Sequence, residues 1–132
     1  MFEAMNDLER AIEASRRGEM DEVALVGIIA ASALVVPTVN EVKQDGSDFM
    51  PLIYTNEGVS MMAAFSDKER AKGITSIAKY LLVMNGLEVL HRIPRDLGIV
   101  INPSLPIGLE LPPNSLSKIR IDFPLTSTNN GE

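Results

Sequence analysis

The sequence contains no cysteine and no tryptophan, and it has a single histidine, His91. Without cysteine the chain can form no disulfide, no thiolate nucleophile, no iron–sulfur ligand set and no cysteine-based zinc site. With one imidazole it has no histidine cluster, and a Ser-His-Asp triad could use only His91. A chain without cysteine is also consistent with a reducing compartment.

Clusters of positive charge and long hydrophobic runs are also lacking. Twelve basic residues stand against 18 acidic ones, for a net charge of −6, and they come singly or in pairs such as Arg16 and Arg17. Nucleic acids and anionic membrane surfaces attract clustered basic residues, so we expect neither as a partner. The longest apolar run, over 23–36, is shorter than the roughly 20 residues that cross a bilayer. The acidic N-terminus is unlike an export signal, and we expect a cytoplasmic protein.

The chain does have the size and composition of one globular domain. It has 132 residues, of which 45% are hydrophobic and 23% charged. A chain of this length buries about two-thirds of its surface, enough for an ordinary core. We assign residues 1–123 to a single domain. The remaining segment, 124–132, has no apolar periodicity and is predicted to be a disordered tail.

Two helices are predicted at the N-terminus. Asn6 can cap the first, with Glu9 in the position of a capping box, and Gly18 ends it. Glu13 and Arg17 are predicted to form an ion pair, because they lie four residues apart on the helix. The charged residues are together predicted to form a solvated face: Glu9, Arg10, Glu13, Arg16 and Arg17. Asp21 begins the second helix, which is apolar almost all round and is therefore expected to be buried.

Four segments follow in the first half of the chain, three predicted strands and one predicted short helix. Residues 34–36 form a strand closed by Pro37, and polar residues 38–49 form a loop. Residues 51–54 and 59–65 form an antiparallel hairpin. The S-x-x-E pattern at 66–69 begins a short helix that Gly73 ends.

The second half of the chain alternates strand and helix. Residues 77–84 form a strand, Asn85 caps a helix that Pro94 stops, residues 98–101 and 107–111 are strands, and Ser115 begins a last helical turn. The fold class is therefore α+β. We expect a single mixed or antiparallel sheet of about five or six strands, with the N-terminal helices packed on it and short connecting helices.

No motif in the chain identifies a reaction. The phosphate-binding patterns G-x-G-x-x-G and Walker A are absent, and no serine lies in G-x-S-x-G. We therefore predict no catalytic, cofactor-binding or metal-binding residue. Met61 and Met62 are neighbours on a strand, so they face opposite sides of the sheet. Exposed apolar surface on the second face would indicate a homo-oligomer.

The order of these segments resembles the SseB N-terminal domain family, the enhanced serine sensitivity proteins. The resemblance extends over roughly residues 6–120. It rests on LVVP at 34–37, PLIYTN at 51–56 with the following Phe-Ser, LGIVINP at 97–103 and GLEL at 108–111. Ser104 replaces a glycine that often follows Asn-Pro in the family, and Tyr54 replaces a frequent phenylalanine. The resemblance implies no reaction and no cofactor.

We therefore expect a small, non-enzymatic module that binds a protein partner or associates with itself. The alternative is a sensor of a small, amino-acid-related molecule, or a metabolic enzyme, as the name of the family suggests. Four residues at predicted strand ends are the candidates for contacting a ligand or partner: Tyr54, Asn56, Glu57 and Asn102. Pro103 is expected to hold Asn102 in extended geometry, so that a structural role for this residue at a strand end is the other possibility.

Overall fold

The computed structural model describes residues 4, 6–40, 50–74 and 77–124. Within these ranges the regular elements follow in the order α1 (Asp7–Arg16), α2 (Glu22–Ala31), β1 (Ala33–Thr38), β2 (Ile53–Asn56), β3 (Val59–Ala64), a 3₁₀ turn (Lys72–Ile74), β4 (Tyr80–Asn85), α3 (Gly86–Arg92), β5 (Gly98–Ile101), β6 (Leu109–Leu111) and α4 (Pro113–Asp122). The predicted α+β class is confirmed. The excursion over 41–49 and most of the predicted tail lie outside the described residues.

The six strands form two sheets instead of one. β1 and β4 make an antiparallel pair, and the other four strands make a sheet in the order β2-β3-β5-β6. Its central strands β3 and β5 are parallel, whereas both outer pairs are antiparallel. A bridge between Val35 and Phe65 links the two sheets where β3 ends. The two sheets are therefore joined at one point, where β1 meets the residue that follows β3.

The caps form as local hydrogen bonding predicts. The side chains of Asn6, Asp21 and Asn85 each accept a hydrogen bond from a backbone N–H in the first turn of α1, α2 and α3. The hairpin of β2 and β3 closes through Glu57 and Gly58, whose φ angles are 52° and 82°. Two positive φ values match the twist that a two-residue hairpin turn requires.

Several predicted boundaries are wrong. Residues 66–69 begin turns and the 3₁₀ segment, with no α-helix, because the Ser66 hydroxyl bonds to Glu9 instead of capping the next turn. Pro37 lies inside β1 opposite Leu81, where a missing N–H is tolerated since β1 has a full ladder on one side only. The last helix, α4, is longer than the predicted turn and begins with proline at its first position.

One face of the strands and all four helices share the main core. Its fully buried side chains include Ile12 of α1, Ile29 of α2, Leu90 of α3 and Leu116 of α4. The second helix, α2, is less completely buried than its apolar sequence predicts. Val23 of α2 is 67% exposed, so α2 buries one side and not its whole circumference.

The two adjacent methionines face opposite sides of β3, as predicted. Met62 lies in the main core, whereas Met61 belongs to a separate small cluster with Ala63 and Val100 on the other face of the four-stranded sheet. We call this second face the outer face. It carries no helix among the described residues, and it is the surface on which the candidate site lies.

Candidate functional site

An open cleft of about 280 Å³ lies on the outer face of the four-stranded sheet. We call it the sheet cleft. Every strand of that sheet contributes to it, together with the loop between β5 and β6. Its lining residues are Tyr54, Thr55, Val59, Met61, Val100, Pro103, Ser104 and Glu110.

Strand register explains how these residues meet. Tyr54 of β2 lies directly opposite Met61 of β3, and Val100 of β5 lies opposite Glu110 of β6. Directly opposite residues of an antiparallel pair project from the same face. Met61 and Val100 are nearly buried and form the floor, while Tyr54 is 38% exposed and stands at the rim. The sheet cleft is therefore apolar in the middle and polar at its edges.

One wall of the cleft is a loop in unusual backbone geometry. Asn102 and Ser104 have φ angles of 57° and 66°, in the left-handed region. The expectation that Pro103 keeps Asn102 extended is wrong. Asparagine is among the residues that adopt this region most readily, and here its side chain is also held by three hydrogen bonds. Ser104 occupies a position where glycine would be less strained.

The side chain of Asn102 points away from the cleft and is fully buried. Its Oδ1 accepts from the backbone N–H of Ser66 at 3.0 Å. Its Nδ2 donates to Ser66 Oγ at 2.9 Å and to the carbonyl of Ile107 at 3.0 Å. These bonds fix the loop that carries Pro103 and Ser104 against the end of β3. Asn102 therefore positions the wall of the cleft from behind.

An ion pair between the buried Glu9 and the partly buried Arg70 continues this network. Arg70 donates from Nε to Glu9 Oε2 at 2.9 Å and from Nη2 to Glu9 Oε1 at 2.8 Å. The Ser66 hydroxyl donates a hydrogen bond to Glu9 Oε2. The hydrogen bonds to Glu9 raise the pKa of Arg70, outweighing the opposite effect of its burial. We call Glu9, Ser66, Arg70 and Asn102 the buried network.

The burial of Glu9 corrects the predicted solvated face of α1. Glu9 is 0% exposed, whereas Arg10, Arg16 and Arg17 are exposed as expected. Arg17 pairs with Glu19 at 3.0 Å. The sequence does hold a signal for Glu9, because it follows Leu8 and precedes Ile12 by three positions, and both of these are buried. Ser66 and Arg70, far along the chain, offered no comparable signal.

The four predicted site residues do not all converge. Tyr54 lines the sheet cleft, and Asn102 supports the cleft from behind. Glu57 lies in the turn of the hairpin. Asn56 pairs with Val59 at the end of β2. Their role in binding stays a prediction.

A second polar site lies between α3 and α4. Arg120 is 6% exposed and donates from Nε to the carbonyl of Leu90 at 2.8 Å and from Nη2 to that of Ile93 at 3.2 Å. Its Nη1 is buried and has no hydrogen-bond partner among the described residues. Burial lowers the pKa of Arg120, and the charge of Arg95 lowers it further. His91 lies in the last turn of α3, and its Nε2 is 2.6 Å from the carbonyl oxygen of Phe123.

The described part of the chain has neither a metal-binding cluster nor a membrane-spanning helix. None of its groups of histidine and acidic side chains could hold a metal ion. None of its helices has the length and apolar character needed to cross a membrane.

Comparison with known proteins decides the family. A sequence model of the SseB protein N-terminal domain matches residues 8–118, which is most of the chain. The chain belongs to this family. The match covers α1 through most of α4, so this SseB domain contains both the sheet cleft and the buried network. A search of curated proteins and a search of solved structures each returned no match.

Proposed function

We propose that this SseB domain is a non-enzymatic module that binds a protein partner or a second copy of itself, and that the sheet cleft receives the partner. The observation that carries the proposal is the cleft itself. It joins a nearly buried apolar floor, Met61 and Val100, to an exposed aromatic rim, Tyr54. Tyrosine at the rim of an apolar depression is typical of protein interfaces, where it supplies both apolar contact and a hydroxyl.

The hydrogen bonds that the polar groups of the buried network make to one another support a binding role over a catalytic one. Ser66 donates its hydroxyl proton to Glu9 and accepts from Asn102. The Glu9 carboxylate in turn accepts two hydrogen bonds from Arg70. A carboxylate held by a guanidinium is a poor base, and a serine bonded to it is not oriented toward the cleft. The network therefore acts as internal support.

The charge of the cleft favours one kind of occupant. Glu110 is exposed at one side of the cleft, and Glu57 is exposed in the turn next to Val59. The whole chain carries a net charge of −6. We therefore expect an extended protein segment that places an apolar side chain over Met61 and a basic side chain near Glu110.

The alternative is a sensor or metabolic enzyme for a small, amino-acid-related molecule. One observation favours it: the volume of about 280 Å³ is near the lower end of small-molecule sites, about 300 to 1,000 Å³. Ser104 and Glu110 could bind the ammonium group of such a ligand. The proposal places the module in the cytoplasm in either case, on the composition alone.

The test compares the only two tyrosines in the chain. Tyr54 is 38% exposed and lines the cleft, whereas Tyr80 is 43% exposed and lies on β4 of the other sheet. A displayed library of extended peptides would be selected on the natural domain. We expect the selected peptides to combine apolar and basic residues, and to lose at least tenfold in affinity with Tyr54→Ala but not with Tyr80→Ala. Equal affinity for all three proteins would contradict the proposed site.

A thermal-shift panel containing serine, other amino acids and nucleotides addresses the alternative. A ligand at about 100 times its Kd stabilises the folded state by about 2.7 kcal/mol. A shift produced by one amino acid, and abolished by Tyr54→Ala, would replace the interaction module with the sensor.

A further inference from the structure

Among the strands that the structure describes, β4 has the outer edge with the fewest features that prevent pairing. β4 bonds to β1 on one side, and on its other side no described residue pairs with it. Its sequence from Tyr80 to Asn85 contains no charged residue and no proline. Tyr80 is 43% exposed and Val83 is 49% exposed. Such an edge presents unpaired backbone groups and apolar side chains together.

The other strand edges are protected. β6 is only three residues long and carries an exposed glutamate, Glu110. β2 is four residues long and follows closely after Pro51. The second side of β1 is occupied, because Val35 and Phe65 exchange backbone hydrogen bonds of 2.8 and 2.7 Å. Short strands, charges and prolines are the usual devices against edge pairing, and β4 has none of them over six residues.

We propose that β4 pairs antiparallel with β4 of a second copy of this chain, about a two-fold axis perpendicular to the sheet. The inference goes beyond the proposed function, because it assigns self-association to a surface other than the sheet cleft. Rotation by a two-fold axis turns an edge strand into its own antiparallel neighbour, so one surface serves both copies. The result is the strand order β1-β4-β4-β1, with the two β4 strands in the centre and each β1 still bridged to Phe65 of its own chain.

Side-chain pairing selects the register. When Leu82 faces the partner's Leu82, Tyr80 faces the partner's Met84 and Leu81 faces the partner's Val83. All of these pairs are apolar, and aromatic and branched pairs stabilise neighbouring strands. This register also keeps each residue on the same face as its counterpart, as the two-residue period of a strand requires.

Charge makes this edge compatible with a second copy. Two molecules that each carry a net charge of −6 repel one another at a distance. In the proposed register, the charged residue nearest to β4 is Lys79, and it faces the partner's Asn85. No like charges are therefore opposed along the paired strands. Because the seam is short, it buries less than a standard interface, and we expect a dimer that dissociates on dilution.

Sedimentation equilibrium over a wide concentration range tests the pairing, with two exposed valines as a matched pair. Val83 lies on β4 and is 49% exposed, while Val23 lies on α2 and is 67% exposed. We expect the natural chain and Val23→Lys to dimerise, and Val83→Lys to be monomeric at the same concentrations. A natural chain that stays monomeric up to about 1 mM, or a Val83→Lys variant that dimerises equally well, would overturn the proposal.

Disulfide trapping provides a second measurement that does not depend on weakening the protein. The chain has no cysteine, so a single introduced thiol can bond only to its copy in another molecule. We expect Leu82→Cys to form a covalent dimer under mild oxidation at least tenfold faster than Val23→Cys, because the two-fold axis brings the two Leu82 positions together. Equal rates would contradict the proposed register and the proposed axis.

The two proposals fail separately. Tyr54→Ala is expected to abolish peptide binding in the sheet cleft and to leave the dimer intact. Val83→Lys is expected to do the reverse, since β4 belongs to the other sheet. If the natural chain binds the selected peptides but stays monomeric, the dimer proposal is wrong and the module binds other proteins only.

Discussion

Two arginines of this SseB domain are shielded from solvent in different ways: Arg120 is buried, whereas the side chain of Arg70 is partly buried, at 14% exposed. Arg70 faces a carboxylate, Glu9, through two hydrogen bonds. Arg120 faces only backbone carbonyls, those of Leu90 and Ile93, and one of its nitrogens has no partner in the described part of the chain. The pKa of Arg70 is accordingly raised, while burial lowers the pKa of Arg120.

The difference shows what each arginine does for the fold. Arg70 neutralises a carboxylate that is 0% exposed, so the two groups depend on each other. Arg120 lies in the last turn of α4 and supplies donors to two carbonyls at the end of α3, which satisfies groups that a helix leaves unbonded. The first arginine holds together segments behind the sheet cleft, whereas the second joins two helices.

The largest effect is expected for Arg70→Met. This change keeps much of the apolar stem but leaves Glu9 buried without its cation, and breaking one side of a buried pair costs about 3 to 5 kcal/mol. Urea denaturation monitored by circular dichroism measures the loss in the free energy of unfolding. The double variant Glu9→Leu with Arg70→Met removes both charges and should regain most of that loss. A loss of under about 1 kcal/mol in the single variant would show that Glu9 does not need Arg70.

A smaller loss is expected for Asn102→Gly. Glycine keeps the left-handed backbone at φ 57° without strain, so the variant removes the amide alone. Its loss leaves the Ser66 N–H and the Ile107 carbonyl without their partner, which costs about 2 to 3 kcal/mol. Because the loop then loosens, peptide affinity in the sheet cleft should fall as well. Unchanged stability would mean that the loop is held by other contacts.

The contrast between the two arginines also marks how far sequence reasoning reaches. Asn6 lies three residues from the N–H that it caps, so residue types and spacing were enough to predict that bond. Glu9 lies 61 residues from Arg70, and no local pattern connects them. The charge of Glu9 suggested a solvated face, and only the fold reveals the cation that permits its burial.

The same limit applies to the candidate site. The sequence placed Tyr54 on a strand of a hairpin, which depends on nearby residues. The predicted strand bounds set it opposite Val59, whereas the tighter turn of the structure sets it opposite Met61. The sheet cleft needs in addition the parallel pairing of β3 with β5, whose partners lie more than thirty residues apart. Long-range pairing of this kind leaves no periodic signal in one sequence.

Arg120→Met is expected to cost about 1 kcal/mol, much less than the same substitution at Arg70. The variant leaves two carbonyls without donors, but it strands no opposite charge and removes a desolvated cation. The same denaturation measurement applies. Arg92→Met is the matched control, since Arg92 is exposed and forms one surface pair with Glu88, worth about 0.5 kcal/mol or less. A loss at Arg120 as large as that at Arg70 would remove the distinction between the two sites.

The smallest effect is expected from pH. A raised pKa at Arg70 means that its stabilisation is complete below the ordinary arginine value and is lost only as pH rises through the raised one. The lowered pKa at Arg120 has the opposite sign: its folded state binds the proton less well, so stability rises with pH through that range. Arginine stays protonated throughout the neutral range. The difference in unfolding free energy between Arg70→Met and Arg120→Met should therefore be constant from about pH 6 to about pH 9. A difference that changed across this interval would show that a group other than these guanidinium ions controls one of the two sites.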